Sequence, residues 1–269
     1  MRKVIIEYDG LTEFLALQNV RNDRREMYEF LYGVFLLEYG RWEKLNGVWV
    51  EHWIDINKAR YHLQKAMRRT KEVAFVEYAI GESYYRQGMY YFASFHFSKA
   101  WDKDYEFEFS FWALMETLYM HGRYKEVAEK YCKFKKLKIT YSKNLENWIE
   151  LLLCYASLHY QDVESVIERL PLLSHSSEET KCEDDIYTLY VFGLMIYVNS
   201  EKKHDAYKIN EKVFNMKYLS VPWLNMLQSG ITDMSAVRES IIENFCPAGV
   251  FSHLLPLGKF SVKTIVRPQ

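Results

Sequence analysis

Apolar and small residues recur at helical spacing in residues 80–100, which read IGESYYRQGMYYFASFHFSKA. One face of a first predicted helix carries Ile80, Gly81 and Tyr84, and one face of a second carries Ala93, Phe97 and Ala100. The small residues let the two helices approach closely, and the rings fill the space between them. Gly88 separates the two runs and can take the left-handed conformation that ends a helix. The pattern predicts a helical hairpin.

The same pattern recurs along the chain with a period of about 34 residues. Gly88-x-Tyr90 recurs as Gly122-x-Tyr124. The pattern of the second helix, Ala93-x-x-x-Phe97-x-x-Ala100, has its counterpart one period earlier in Ala59-x-x-x-Leu63-x-x-Ala66. At the same offset the remaining positions stay apolar: Ile80 maps to Leu114, Tyr84 to Leu118, Ala93 to Val127, Phe97 to Tyr131 and Ala100 to Phe134. A single helical hairpin cannot bury its own apolar face, so this period predicts a stack of hairpins.

An insertion interrupts the first hairpin. Its first helix is predicted over residues 26–39, centred on Gly33, and its second helix carries Ala59. Residues 40–53, GRWEKLNGVWVEHW, lie between them. Asn46-Gly47, flanked by Trp- and Val-rich arms, indicates a tight β-hairpin turn. A longer helical arm fits the same residues equally well.

Downstream of residue 140 the repeat pattern weakens. Val163-x-x-x-Ile167-x-x-Leu170 fits a second helix, and Pro171 follows where a helix should end. Glu150 is expected to disrupt the first helix of this hairpin, because it places a carboxylate where the clearest repeat has Ile80.

Three further segments complete the chain. A hairpin containing Phe192-Gly193-x-x-Ile196 is predicted within residues 186–214. Residues 232–245 are predicted to form a single helix, with Thr232 or Asp233 as its N-cap. Residues 247–269 show no helical period, so we expect an extended tail.

Composition and charge favour a helical protein without nucleic-acid or membrane partners. The 269 residues are 49% hydrophobic and 17% aromatic, enough to bury a substantial core. A net charge of −1 gives no basic footprint for nucleic acid. There is no run of 18 apolar residues, and the opening MRKVIIEYDGL is too polar for a signal peptide. We expect a cytoplasmic protein.

The sequence contains no motif of a nucleotide site, metalloprotease or serine hydrolase. His62 and His96 fall on predicted second helices and are interpreted as packing residues. Residues 174–185, SHSSEETKCEDD, are interpreted as a solvated linker, because they lack the spacing of a calcium loop. We expect no cofactor, metal site or catalytic residue, and free thiols at the widely spaced Cys132, Cys154, Cys182 and Cys246.

Aromatic residues seven positions apart form a stripe along each predicted first helix. The stripe consists of Phe30 and Leu37, Tyr78 and Tyr85, Trp112 and Tyr119, Trp148 and Tyr155, and Tyr190 and Tyr197, with Val34, Glu82, Glu116, Leu152 and Leu194 at the middle of each face. The rings either pack hairpin against hairpin or line a binding groove. In a groove, they suit a peptide with apolar side chains and basic groups that face Glu82 and Glu116.

The helical signatures resemble those of tetratricopeptide repeats. Ile80-Gly81-x-x-Tyr84 and Ala93-x-x-x-Phe97 match L-G-x-x-Y and A-x-x-x-F, with Glu77 where the leading tryptophan would stand. The resemblance covers residues 26–215 and is strongest in 59–134. It implies an all-α fold, a right-handed superhelical α-solenoid of about five helical hairpins, with a C-terminal capping helix and tail in residues 216–269 and a short N-terminal segment in residues 1–25.

Residues 73–100 more narrowly resemble a repeat of the Rap-type regulators of spore-forming bacteria. The matching positions are Ala74-Phe75, Glu82-x-Tyr84-Tyr85, and Tyr91-Phe92 leading to Ala100. Proteins of that family bind short signalling peptides in a concave groove and thereby change their hold on a partner. The resemblance implies a peptide-binding regulator. The family's phosphatase and DNA-binding domains are not carried over, because only about 25 residues precede the repeats.

Three function classes stay open for the chain. An enzyme would need a cluster of titratable groups, and the sequence offers none with diagnostic spacing, so two binding functions are favoured. One is a regulator whose groove binds a peptide or a segment of a partner. The other is an adaptor or assembly scaffold that binds a folded protein, or forms a homodimer, through its convex face or the tryptophan-rich insertion with Trp42, Trp49 and Trp53.

Overall fold

The computed structural model describes residues 25–38, 41–45, 48–52, 55–68, 73–160, 162–169 and 234–245. Helices make up most of these residues, which confirms the predicted helical class. The helices are α1 (Arg25–Glu38), α2 (Ile56–Met67), α3 (Val73–Tyr85), α4 (Tyr90–Lys103), α5 (Glu108–Met120), α6 (Tyr124–Leu137), α7 (Lys143–His159), α8 (Val163–Arg169) and α9 (Met234–Asn244).

The described residues fall into two compact units. Those up to Thr117 belong to the first unit and those from Leu118 onward to the second, so the boundary lies inside α5. The predicted repeat domain of residues 26–215 and its flanking segments stay predictions.

Helical hairpins in the first unit pack through a glycine on one helix and a large side chain on the next. A Cβ added at Gly33 of α1 would lie 2.7 Å from Cγ of Leu63 on α2, and one added at Gly81 of α3 would lie 2.7 Å from Cδ1 of Phe97 on α4. Leu63 and Phe97 are one repeat period apart. The close approach predicted from the small residues is confirmed.

Two turns of the same construction end α3 and α5. Gly88 and Gly122 have φ angles of +70° and +73°. The N–H of Gly88 donates to the carbonyl oxygen of Tyr85 at 2.9 Å, and that of Met89 donates to Tyr84 at 3.0 Å. The second turn repeats both bonds one period later. This is the bonding of a Schellman cap, and it confirms the predicted role of both glycines.

The insertion forms a β-hairpin. Strand β1 (Arg41–Leu45) pairs antiparallel with β2 (Val48–His52), from Arg41 opposite His52 to Leu45 opposite Val48. Two residues connect the strands, as the Asn46-Gly47 signal predicts, although both of these residues lie outside the described ones. The alternative prediction of a helical arm is wrong, because β1 and β2 pair with each other through main-chain hydrogen bonds.

The second unit contains α6 to α9. Helix α7 packs against α6, α8 and α9, and Phe245, directly after α9, stacks on Tyr155 of α7 at 3.7 Å between ring centroids. The predicted C-terminal helix is confirmed. Four other predictions lie outside the described residues. They are the N-cap of this helix at Thr232 or Asp233, the hairpin of residues 186–214, the linker of residues 174–185 and the tail of residues 247–269.

Glu150 does not disrupt its helix. Helix α7 continues through this residue, which is buried. Its carboxylate accepts hydrogen bonds from the Tyr131 hydroxyl and, at 2.7 Å, from Nη1 of Arg169 on α8. The expectation from the sequence is wrong because the neighbouring helices supply a cation and a donor to this carboxylate.

Candidate functional site

The structure places most of the aromatic stripe in the interior. Tyr85 and Phe30 are partly buried, whereas the rings that expose less than a tenth of their surface are Tyr78, Trp112, Tyr119, Trp148 and Tyr155. Leu37, Val34 and Leu152 are buried as well, and Tyr190, Leu194 and Tyr197 lie outside the described residues.

The buried rings contact neighbouring helices. The Tyr78 ring lies 5.4 Å from that of Phe97 and 5.1 Å from that of Phe107, all within the first unit. In the second unit, Phe245 contacts Tyr119 as well as Tyr155. These rings therefore contribute to packing, and a direct ligand contact by them stays a prediction.

Glu82 lies on α3 with its side chain almost wholly buried. Arg86, one helical turn later, donates from Nε to Oε1 of Glu82 at 2.6 Å. The same guanidinium donates from Nη1 to the carbonyl oxygen of Leu37 on α1. Arg86 thus connects the carboxyl group of Glu82 on α3 to the C-terminal end of α1.

Glu116 lies on α5 and has no exposed surface. The hydroxyl of Tyr85 on α3 donates a hydrogen bond to Oε1 of Glu116. Because Tyr85 follows Glu82 by three positions on one helix, the two carboxyl groups belong to a single cluster. We call Glu82 and Glu116 the acidic pair.

Each carboxyl group of the acidic pair keeps one unsatisfied oxygen. Oε2 of Glu82 and Oε2 of Glu116 are buried and have no hydrogen-bond partner in the part of the chain that the structure describes. The same is true of the hydroxyl oxygen of Thr117, the residue after Glu116. A buried polar atom without a partner costs about 1–3 kcal/mol. Two such oxygens on neighbouring carboxyl groups are unusual in a folded protein.

Burial raises the pKa of both carboxyl groups. For Glu82, the charge and hydrogen bond of Arg86 partly counter this effect. For Glu116 the pKa lies well above its usual range, although the Tyr85 hydrogen bond lowers it, and the charge of Glu82 raises it further. The pKa of Tyr78 is raised as well, mainly by burial and further by the charges of Glu82 and Glu116, so its hydroxyl stays protonated. The site holds more acidic groups than the nearby cation can balance.

A second arrangement of charged residues repeats along the first unit. His62 Nδ1 lies 2.5 Å from Oε2 of Glu29, and His96 Nδ1 lies 2.6 Å from Oε2 of Glu77. Lys65 and Lys99 lie 3.8 and 3.9 Å from the same two carboxylates. Both histidines are partnered packing residues, as predicted.

The two glutamates of this arrangement were not identified from the sequence. The separation of Glu29 and Glu77 exceeds one repeat period by the length of the insertion, residues 40–53, so the two positions fall out of register along the chain. Leaving the insertion out of the alignment restores their register and would have revealed them.

Other chemistry is sparse in the described residues. No group of three or more potential metal ligands occurs among them. Cys132 is exposed and Cys154 is buried, and both are free thiols. Burial raises the pKa of the Cys154 thiol to about 12, so it is unreactive at neutral pH. None of the described helices has the length and apolar character needed to cross a membrane.

Comparison with known proteins gives no match. No family model matches the chain, and no curated protein or solved structure matches it significantly.

Proposed function

We propose that this chain is a non-catalytic binding protein that takes up a basic side chain of a peptide, or of an extended segment of a partner protein, at the acidic pair. The observation that supports this most directly is the presence of two buried carboxyl oxygens without hydrogen-bond partners in the described residues, on Glu82 and Glu116. A guanidinium or ammonium group supplies the N–H donors that these oxygens lack, and its charge favours loss of the proton that burial otherwise holds on Glu116.

The electrostatics of the acidic pair favour a ligand over a purely structural role. Buried charges in folded proteins are normally paired, and Glu150 shows how this chain satisfies one that is structural. At the acidic pair, by contrast, Arg86 contacts one carboxyl group, and the pKa of Glu116 is raised well above its usual range. Carboxyl groups perturbed in this way are common at functional sites.

A peptide is the ligand class that suits the surroundings. Tyr85 places an aromatic ring that is only partly buried beside the carboxyl groups, so apolar side chains next to the basic residue find a complementary contact. Tyr85 and Arg86 are only partly buried, and the acidic pair borders the surface at these two residues. A ligand approaches from this side.

The proposed architecture is a right-handed α-solenoid of tetratricopeptide-like hairpins. Support comes from the equivalent glycine contacts of Gly33 and Gly81, from the identical caps at Gly88 and Gly122, and from the repeated glutamate and histidine pairs. Stacked hairpins of this kind present extended surfaces that suit peptides. With the resemblance to Rap-type repeats, this favours a peptide-responsive regulator.

Selection of peptides on two forms of the protein tests the proposal. We would select a displayed library of random heptapeptides on the wild type, then measure the best peptides against a Glu82→Gln/Glu116→Gln variant by calorimetry. Glutamine keeps the size of the side chain and removes the charge. We expect enriched peptides with one Arg or Lys between apolar residues, and binding to the variant that is weaker by about tenfold or more, equivalent to about 1.4 kcal/mol.

Glu77→Gln is the matched control. Glu77 is also buried, but His96 and Lys99 already balance its charge, so we expect unchanged peptide affinity. Enriched peptides without a basic residue would contradict the proposal. Equal affinity of the double variant and the wild type would remove the acidic pair from the site.

A further inference from the structure

We infer that the outer sides of α2 and α4 form a docking surface for an acidic segment of a partner protein that also carries aromatic or aliphatic side chains. The surface consists of Tyr61 and Lys65 on α2 with Phe92, Phe95 and Lys99 on α4, and we call it the second-helix face. It does not depend on a ligand at the acidic pair.

Large aromatic side chains are unusually exposed on the second-helix face. Tyr61, Phe92 and Phe95 expose 54%, 50% and 52% of their surface. Exposed apolar residues are normally scattered singly, and a group of large rings on neighbouring elements marks an interaction site. Tyr61 and Phe95 are one repeat period apart, so they hold the same position on two successive second helices.

Each of these two rings carries a lysine. Nζ of Lys65 lies 4.4 Å from the centroid of the Tyr61 ring, and Nζ of Lys99 lies 4.3 Å from that of Phe95. Both lysine side chains stay substantially exposed, with 42% and 48% of their surface accessible. The face therefore repeats one unit, an aromatic ring with a cation held at its surface.

Tyr84 of α3 connects the two helices. The guanidinium carbon of Arg60 on α2 lies 3.7 Å from the centroid of the Tyr84 ring, and Phe92 of α4 stacks on that ring at 5.3 Å. Rings and cations thus continue from α2 through α3 to α4. Tyr84 therefore contacts a residue of each of the two helices that carry the second-helix face.

The charge of these helices selects the partner. Helix α2 contains three cationic residues and no acidic one, and α4 contains two lysines and one aspartate. The protein as a whole has a net charge of −1, so this excess of cations is local. Carboxylates of a partner can contact Lys65 and Lys99 while its apolar side chains cover the rings.

An acidic protein segment suits the face better than a nucleic acid does. Nucleic-acid binding neutralises several successive phosphates at once, and the second-helix face contains two lysines, a number that two carboxylates of a peptide segment match.

Fluorescence anisotropy with defined probes tests the inference on the full chain. The probe is a labelled peptide of Glu, Leu and Phe as long as α4. The comparison probes are the same peptide with Lys in place of Glu, and an oligothymidylate. We expect the acidic peptide to bind the wild type, to bind more weakly as salt rises, and to bind at least about tenfold more weakly to Tyr61→Ser/Phe95→Ser and to Lys65→Gln/Lys99→Gln.

Glu129→Ser/Lys133→Gln is the control variant, because Glu129 and Lys133 hold the positions of Phe95 and Lys99 one period later, on α6. It should bind the peptide as the wild type does. The inference is overturned if the acidic peptide does not bind, if both face variants bind it as well as the wild type, or if either comparison probe binds more tightly. The two variants remove different chemistry from exposed positions, and a cooperative thermal transition for each is the check that it is folded.

Discussion

At the residue scale, Glu116 combines complete burial with a single hydrogen bond, from Tyr85. Burial and the nearby charge of Glu82 both raise its pKa. The folded protein therefore holds a proton on Glu116 at pH values where the unfolded chain has lost it. Stability from this group is highest below the unfolded pKa and falls as the pH rises from there to the folded pKa.

Glu116→Gln should stabilise the free protein at alkaline pH. The amide keeps an acceptor for the Tyr85 hydroxyl and carries no charge to bury, so the free energy of unfolding should rise by about 1–3 kcal/mol at about pH 8 and change less at about pH 5. Urea denaturation at the two pH values measures this. A decrease in stability at alkaline pH would show that the ionised carboxylate is satisfied in the free protein.

His159 gives the opposite pH dependence in the second unit. Its Nε2 lies 3.1 Å from the Tyr119 hydroxyl, its ring stacks on Tyr124, and burial lowers its pKa. As the pH falls, His159 takes up a proton in the unfolded chain before it does so in the folded protein. The stability that the neutral ring contributes is therefore complete above the unfolded pKa of 6.5 and is lost as the pH falls through that value.

The thermal midpoint of the wild type should therefore fall more steeply than that of His159→Gln between about pH 7.5 and 5.5. Differential scanning calorimetry of both proteins across this range provides the measurement. Parallel curves would assign the pH dependence to other groups.

At the element scale, the contact between α3 and α4 depends on the absence of a side chain at Gly81. Gly81→Ala should destabilise the protein by about 1–3 kcal/mol, because its Cβ meets the Phe97 ring at 2.7 Å. Phe97→Leu should recover part of the loss in the double variant, since the two positions share one contact. Chemical denaturation of the single and double variants measures the coupling, and purely additive effects would contradict direct packing.

Helix positions were predictable from the sequence to the extent that the chain repeats itself. The repeat period located α2 to α6 and both glycine caps, because close helix approach and a left-handed turn each require a particular residue type. It did not decide between a β-hairpin and a helical arm in the insertion. It also misjudged Glu150, because the residues that balance its charge lie on other helices.

At the scale of the whole molecule, the proposed stack makes a prediction about deletion. Residues 90–123 span one period and connect Gly88-x-Tyr90 to Gly122-x-Tyr124. In a stack of repeats, each hairpin depends on its neighbours, so removal of one period should leave a folded protein with lower stability. We expect unchanged helical content per residue and a cooperative unfolding transition by circular dichroism.

Deletion of residues 107–123 is the matched control. It removes half a period and joins two second helices, so we expect loss of cooperative unfolding. If both deletions behave alike, the repeat architecture is not what holds the chain together.

The candidate site was only partly predictable from the sequence. Helical spacing brought Glu82 and Glu116 to the middle of two faces, and both lie in one cluster in the structure. The burial of the aromatic stripe could not be predicted, because periodicity shows which residues share a face and not how closely the next helix covers it. The exposed rings of α2 and α4 were missed for the same reason.

The β-hairpin between α1 and α2 also has a use for protein engineering. Because β1 and β2 pair from Arg41 opposite His52, the chain leaves the helical hairpin and returns to it at almost the same place. A connection whose ends are adjacent can change length without moving the helices that it joins. Residues 41–52 are thus a natural point at which to graft a label, an affinity tag or a foreign loop.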